Sequence, residues 1–169
     1  MSSGIVVADT SVLVNFLRID RMNLIGGHPA TFIATEHVGT EISDDQQLRY
    51  RAALDAKYIS EERIDDPTEL EIFLRLSRHL RLGSGERSAI AVALNRGHVL
   101  AIDDNRAINK ALHEAELSGA RLPIVRTQDI VVTLIKAGTL TLHATNAILV
   151  EWTSTHRFRL TISSFVELL

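Results

Sequence analysis

The run Val99-Leu100-Ala101-Ile102, four apolar residues with no polar break, places the tightest constraint on how this chain can fold. It reads as a strand buried on both faces, and such strands belong inside a parallel sheet with helices on either side. The flanks agree with that reading. Ahead of the run, Gly83-Ser84-Gly85-Glu86 opens a helix carrying Ala89, Ile90, Val92, Ala93 and Leu94, mostly small residues that can lie close against a sheet, and Gly97 ends it. Behind it, Asp103-Asp104 leads into a second helix with Ala107, Ile108, Ala111 and Leu112 on its inner side. Open parallel sheets bind ligands beyond the carboxyl ends of their strands, so acids at a strand exit and at a helix start are directed toward one crevice. Acids clustered in that way point to a divalent cation.

The same grammar runs through the rest of the chain. Ile5 to Ala8 form an apolar strand that ends in Asp9-Thr10-Ser11, followed by a helix with Val12, Leu13, Phe16 and Leu17 at helical spacing. Ala30 to Ile33 read as a second strand, and Thr35 caps a helix that turns Val38 and Ile42 inward and leaves Glu41 at the edge of the apolar stripe. Residues 44–57 read as a helix with a thin stripe of Leu48, Ala52 and Ala56, and residues 59–64 as an extended segment. Asp66-Pro67-Thr68 opens a helix with Leu70, Phe73, Leu74 and Leu80 facing the core. Leu122 to Val125 form a strand, and a helix over 129–136 is ended by Gly138. A further helix carries Leu142, Ala144, Ala147, Ile148 and Trp152, an extended piece covers 158–162, and an apolar turn covers 165–169. Strands alternating with helices predict a three-layer α/β/α sandwich around a mostly parallel central sheet. Residues 1–169 read as one domain, with 138–169 as a C-terminal extension packed on it.

With 169 residues, 46% of them hydrophobic, the chain has enough material for one core and too little for two. The absence of cysteine excludes disulfides, thiolate metal sites and a cysteine nucleophile, and suits a reducing cytoplasm. Residues 1–8 are too short and uncharged for a secretory leader, and no apolar run approaches the ~18 residues of a membrane span. A soluble protein is expected. The net charge of −3 argues against nonspecific coating of nucleic acid but leaves RNA open as a substrate. Arg75, Arg78, Arg81 and Arg87 gather around the Glu86 turn and are the candidate phosphate contacts.

Several familiar motifs are excluded. Gly83-Ser84-Gly85-Glu86-Arg87-Ser88 fails as a dinucleotide fingerprint, because Ser88 replaces the third glycine and a helix precedes it. There is no GxxxxGK[ST], His113-Glu114 has Leu117 where a zinc protease needs histidine, and the seven histidines show no ligand spacing. The hard oxygen donors Asp9, Glu41, Glu86, Asp103 and Asp104 remain, a set suited to Mg²⁺ or Mn²⁺. Taken singly, such acids are helix caps or first-turn residues. The combination points further, because Asp9 and Asp103-Asp104 each end an apolar strand and Glu86 opens a helix.

Four segments, IVVADTSVLVNFL, TEHVGTEI, LGSGERSAIAVAL and LAIDDNRAI, resemble the ordered acidic motifs of the PIN-domain nucleases, particularly their bacterial toxin-like branch, over roughly residues 5–137. TQDIVVTLIKAGTL and the apolar tail resemble the same branch's C-terminal portion. The resemblance aligns the family's first acid with Asp9, its second with Glu41 and its third with Glu86. The fourth falls on Asp104 if Ala111 anchors the alignment and on Asp103 if the strand end does. It implies a metal-dependent endoribonuclease cleaving single-stranded RNA, with Asp9 and Asp104 binding Mg²⁺ or Mn²⁺. Glu86 and Asp103 would share coordination, Glu41 would complete or orient the shell, and Thr10 or Ser11 would hydrogen-bond a site carboxylate. It also implies a toxin with a small protein antitoxin and a homodimer; the cytoplasmic location is expected from the missing cysteines and leader. Ile108 departs from the pattern, since related sequences often have arginine there. The alternative is a noncatalytic PIN-like module that binds RNA or protein, against which the intact acids argue. A phosphatase would need DxD where the chain has Asp9-Thr10-Ser11, and a receiver domain would carry its acidic pair near the first strand.

Overall fold

Five short strands, β1 (Ile5–Ala8), β2 (Thr31–Thr35), β3 (Ser60–Glu62), β4 (Val99–Ala101) and β5 (Ile124–Val125), form an all-parallel sheet in the order β3-β2-β1-β4-β5. The computed structural model describes residues 4–79 and 81–169. Alternation along the strands sends Val6, Ala8, Phe32, Ala34 and Ala101 to one face and Val7, Ile33, Leu100 and Ile102 to the other. Both faces are buried, which is why these strands lack the polar alternation of a one-sided sheet.

Helices cover each face. On the first lie α1 (Thr10–Arg18), α2 (Met22–Gly26), α3 (Glu36–Glu41), α4 (Gln47–Asp55), α8 (Thr127–Lys136) and α9 (Leu142–Thr155), around a core that includes Phe16, Leu13, Ile130 and Trp152. On the second lie α5 (Pro67–Leu76), α6 (Ser84–Arg96) and α7 (Asn105–Leu117). Helix α6 presents Ala89, Ala91 and Ala93, all buried, and their small size lets it pack closely on the strands beneath. The architecture is the three-layer α/β/α sandwich that the alternation of elements predicts. The C-terminal residues Leu140, Ile148, Leu149, Trp152 and Phe165 share the first core with β1. No helix among the described residues is long and apolar enough to cross a membrane.

Local signals set most boundaries. Thr35 accepts the amide of Val38, Asp66 that of Thr68 with Pro67 beside it, and Asp104 that of Ala107. Gly97 closes α6 in the left-handed conformation (φ 67°), where a side chain would be strained. Several expectations need correction. The inner face of α5 is Glu69, Ile72 and Leu76, while Leu70 and Leu74 are exposed; Leu80 lies outside the described residues. On α4 the buried residues are Tyr50 and Ala53, and Leu48 faces solvent, because the Tyr50 hydroxyl reaches across to Glu61 (2.7 Å). Leu112 is exposed, and the inner stripe of α7 continues through Glu114 and Ala115. Helix α8 starts at Thr127, two residues early, residues 158–162 form no strand, and α2 has no counterpart in the sequence reading.

The buried acid on α5 has a specific partner. Glu69 is completely excluded from solvent, and its carboxylate accepts from Arg96 (2.7 and 3.1 Å) and Asn95 (3.0 Å) at the end of α6. Glu114 on α7 is nearly as buried and accepts from Arg75 on α5 (Nε, 2.8 Å). Charge pairs therefore fix α5 against both of its neighbours, beside the apolar contacts of Ile72 and Leu76.

Candidate metal centre

In the order β3-β2-β1-β4-β5 the chain leaves β1 toward one side of the sheet and reaches β4 on the other, so the β1/β4 boundary is a topological switch point, where open α/β sheets form their crevice. Asp9 follows β1 and Asp103-Asp104 follow β4. The two strand ends are tied together, because the Asp9 amide donates to the Ala101 carbonyl (2.9 Å).

Asp9 caps α1, and its Oδ2 accepts from the Ser11 amide (3.1 Å) and hydroxyl (2.6 Å). The side chain is 1% exposed, and its other oxygen, Oδ1, has no hydrogen-bond partner. A buried, unsatisfied carboxylate oxygen is costly unless a ligand meets it. Burial pushes the Asp9 carboxyl above its ordinary value, with a smaller push from the Glu41 charge.

Glu41 ends α3 and bridges two helix starts. It accepts from Thr10 (3.2 Å) on α1 and from the Ser84 hydroxyl (3.2 Å) and Gly85 amide (2.8 Å) on α6. Both helix N-termini favour its charge. A Cβ on Gly85 would stand 2.3 Å from Glu41 Oε2, so glycine is what permits this approach. Gly85→Ala is expected to swing the exposed Glu41 head away, lowering any cleavage about tenfold while the thermal midpoint stays within a few degrees, since alanine also favours the helix. A large loss of stability without loss of cleavage would refute this role for Gly85.

Glu86 accepts from the Gly83 amide (3.0 Å), the return bond of a capping box. Its carboxyl is pushed up to about 7 by burial first and then by the charges of Asp9, Asp104 and Glu41. Glu86 thus lies within electrostatic reach of the other three carboxylates. Glu86 binds its proton more tightly folded than unfolded, so its contribution to stability is full below about pH 4.5 and is lost as the pH rises to about 7. In chelator, the thermal midpoint should fall across that interval, and Glu86→Gln, which keeps the cap acceptor, should flatten the fall. An undiminished decline in Glu86→Gln would assign it to other groups.

Asp103 and Asp104 face different ways. Asp104, exposed, caps α7. Asp103 accepts from the Thr127 amide (2.9 Å) and hydroxyl (2.6 Å) and from Asn15 (3.1 Å), and burial raises its carboxyl. Strand alternation accounts for the split. Asp103 has the parity of Ala101, toward the α1/α8 layer, whereas Asp104 has that of Leu100 and Ile102, toward α6 and Glu86. The Ser11 hydroxyl joins the two halves, accepting from the Asp103 amide (3.2 Å) while donating to Asp9.

Sequence reasoning missed Asn15, Thr127 and Ser88, all buried. The asparagine inside the apolar VLVNFL helix was a legible signal. Ser88, which spoils the glycine fingerprint, bonds Thr35 (2.6 Å) between α6 and the end of β2. Ile108, where the resemblance would place arginine, is buried in the second core. Among the arginines, Arg75 is held by Glu114, and Arg87 bonds Ser77 (2.6 Å) and lies over the Phe73 ring (4.8 Å). Arg78 and Arg81 are exposed and make no ion pair among the described residues.

Among the described residues no three His, Cys, Asp or Glu side chains stand gathered tightly enough to hold a metal ion. Like charges repel, and Glu41 and Glu86 each take backbone or hydroxyl donors of their own. The residues nonetheless fit a hard divalent cation on two counts: the unsatisfied Asp9 oxygen and an all-carboxylate donor set. Clefts of about 590 and 620 Å³ beside β2/β3 and α3/α4 do not include Asp9, Glu86 or Asp104.

No curated protein matches the chain. In structure it is similar to a PilT N-terminus domain protein from the hyperthermophilic archaeon Sulfolobus solfataricus P2, with a TM-score of 0.48 and 16% identity, covering 76% of this chain and 92% of that one. A family model described as PIN domain matches residues 5–169, and the chain belongs to the PIN-domain family.

Proposed function

We infer that the chain is a metal-dependent endoribonuclease acting on single-stranded RNA, with Asp9, Glu86 and Asp104 as the residues that would hold Mg²⁺ or Mn²⁺. The observation that carries this is the buried Asp9 oxygen without a partner, in a common electrostatic field with Glu41, Glu86 and Asp104. Membership of a family of nuclease-type modules supports the class of reaction. A bound divalent cation supplies water activation and neutralises charge on the phosphoryl group. The chain's own residues do the rest. Ser11 holds Asp9 Oδ2 and leaves Oδ1 available, Thr10, Ser84 and Gly85 fix Glu41 as the orienting acid, and Asp103 braces the strand end from behind. Arg78 and Arg81 are the phosphate contacts, and Arg75 and Arg87 build the surface that carries them. The likeness of the four acidic segments to the toxin-like branch extends this reading to a toxin of a toxin–antitoxin pair, blocked by a small protein antitoxin, homodimeric and cytoplasmic.

The test is purified, antitoxin-free protein incubated with total cellular RNA and with a labelled single strand. Cleavage is expected with Mg²⁺ or Mn²⁺ and is expected to stop with EDTA. Arg78→Ala and Arg81→Ala should each weaken RNA binding and reduce the slope of log K against log salt by about 0.7 for every phosphate left without its arginine. RNA binding without metal-dependent cleavage would make the protein a noncatalytic binding module, and unchanged salt slopes would return the two arginines to ordinary surface.

A further inference from the structure

Asn15 interrupts the apolar inner stripe of α1 and is 3% exposed. Its Nδ2 stands 3.1 Å from each of three acceptors: the Ser11 carbonyl, Asp103 Oδ2 and Thr127 Oγ1. A main-chain carbonyl and a carboxylate can only accept, so the amide nitrogen must be the atom facing them. The Thr127 hydroxyl donates onward to the same Asp103 oxygen (2.6 Å).

On its other side, Asn15 offers its main-chain carbonyl to the indole N–H of Trp152 (2.8 Å). Trp152, the chain's single tryptophan, is buried on α9 with its ring edge-on to Phe16 and Phe158. Bonds therefore run without a break from α9 to the crevice. Trp152 donates to Asn15, Asn15 to Asp103, the Asp103 amide to Ser11 Oγ, and Ser11 to Asp9. The path ends at Asp9, whose buried Oδ1 has no hydrogen-bond partner.

We propose that Asn15 is the positioning residue for Asp9 and Asp103, and that Trp152, through Asn15, makes helix α9 part of the machinery that holds the metal-binding carboxylate in place. The proposal rests on the metal-dependent reading above. Residues behind a metal ligand that fix its orientation typically change affinity 10- to 100-fold when removed.

The tryptophan gives a direct readout. In ¹⁵N-labelled full-length protein its indole N–H resonance should move saturably with added Mg²⁺, with the same midpoint as the rise in thermal stability. By calorimetry, Asn15→Leu should weaken Mn²⁺ binding about 10- to 100-fold, and Trp152→Phe, which keeps an aromatic ring but loses the donor, should weaken it several-fold. In cleavage assays both should lower kcat and leave KM for RNA within about twofold. If Asn15→Leu does not fold, Trp152→Phe decides the matter. A merely structural role would lower the thermal midpoint without moving Mn²⁺ affinity or kcat, and folded variants with wild-type values for both overturn the proposal. So does a static indole signal while Mg²⁺ saturates the protein. Wild-type protein that binds no divalent metal overturns the nuclease reading along with it, whereas metal binding that is equal in wild type and variants overturns this proposal alone.

Discussion

Asp9→Asn and Asp104→Asn are each expected to lower metal-dependent RNA cleavage by about 100-fold or more while the protein stays folded. Each change is nearly isosteric and removes one charge from the set that would hold the cation. The two positions differ in what else they do. Asn at 9 can still accept from Ser11, and loss of a buried charge removes the desolvation cost that raises the Asp9 carboxyl, so Asp9→Asn should melt no lower than wild type in chelator. Asn at 104 remains a good cap for α7. The double variant should be little worse than either single one, as expected for residues acting as a unit. Mg²⁺ should raise the melting temperature of the wild type and raise that of Asp9→Asn less. Full cleavage by either single variant in rigorously wild-type-free preparations would remove that residue from the centre.

The second large effect is on stability. Arg96→Met leaves the Glu69 carboxylate buried with Asn95 alone, and breaking a buried pair from one side typically costs about 3–5 kcal/mol. Because Arg96 is itself partly exposed, the lower end of that range is expected, a fall of roughly 10 °C in the melting temperature of a chain this size. Glu69→Gln combined with Arg96→Met should recover a substantial part, since the stranded charge is then gone. A single variant that melts like wild type would show that water reaches Glu69.

These two predictions separate what the sequence could reveal from what it could not. Strand runs, the caps at Thr35, Asp66 and Asp104, and the stop at Gly97 depend on neighbours a few positions away, and all were legible. The face of α5 was not. Its buried position is occupied by Glu69, whose partner is 27 positions distant, so a local pattern of leucines pointed to the wrong side. Asp103 and Asp104 looked interchangeable because the motif contains both. Strand parity distinguishes them, and the Thr127 contact that holds Asp103 comes from 24 positions downstream. The acids at strand exits were visible as a set; the hydroxyl and amide groups that orient them became visible only with the fold.

The parallel sheet also dictates when such a crevice can first exist. Parallel neighbours are joined through long crossovers, and here Ser11 and Asp103 meet across 92 positions and Asn15 and Trp152 across 137. Contacts of that separation form late and slowly, because loop closure must be met before they contribute. At a synthesis rate of roughly 5–20 residues per second, the first strand waits several seconds on the ribosome for its β4 neighbour and longer for α9. A nascent chain therefore carries Asp9 without its neighbours at the sheet edge until β4 has been made, and without the Trp152 contact until α9 has followed.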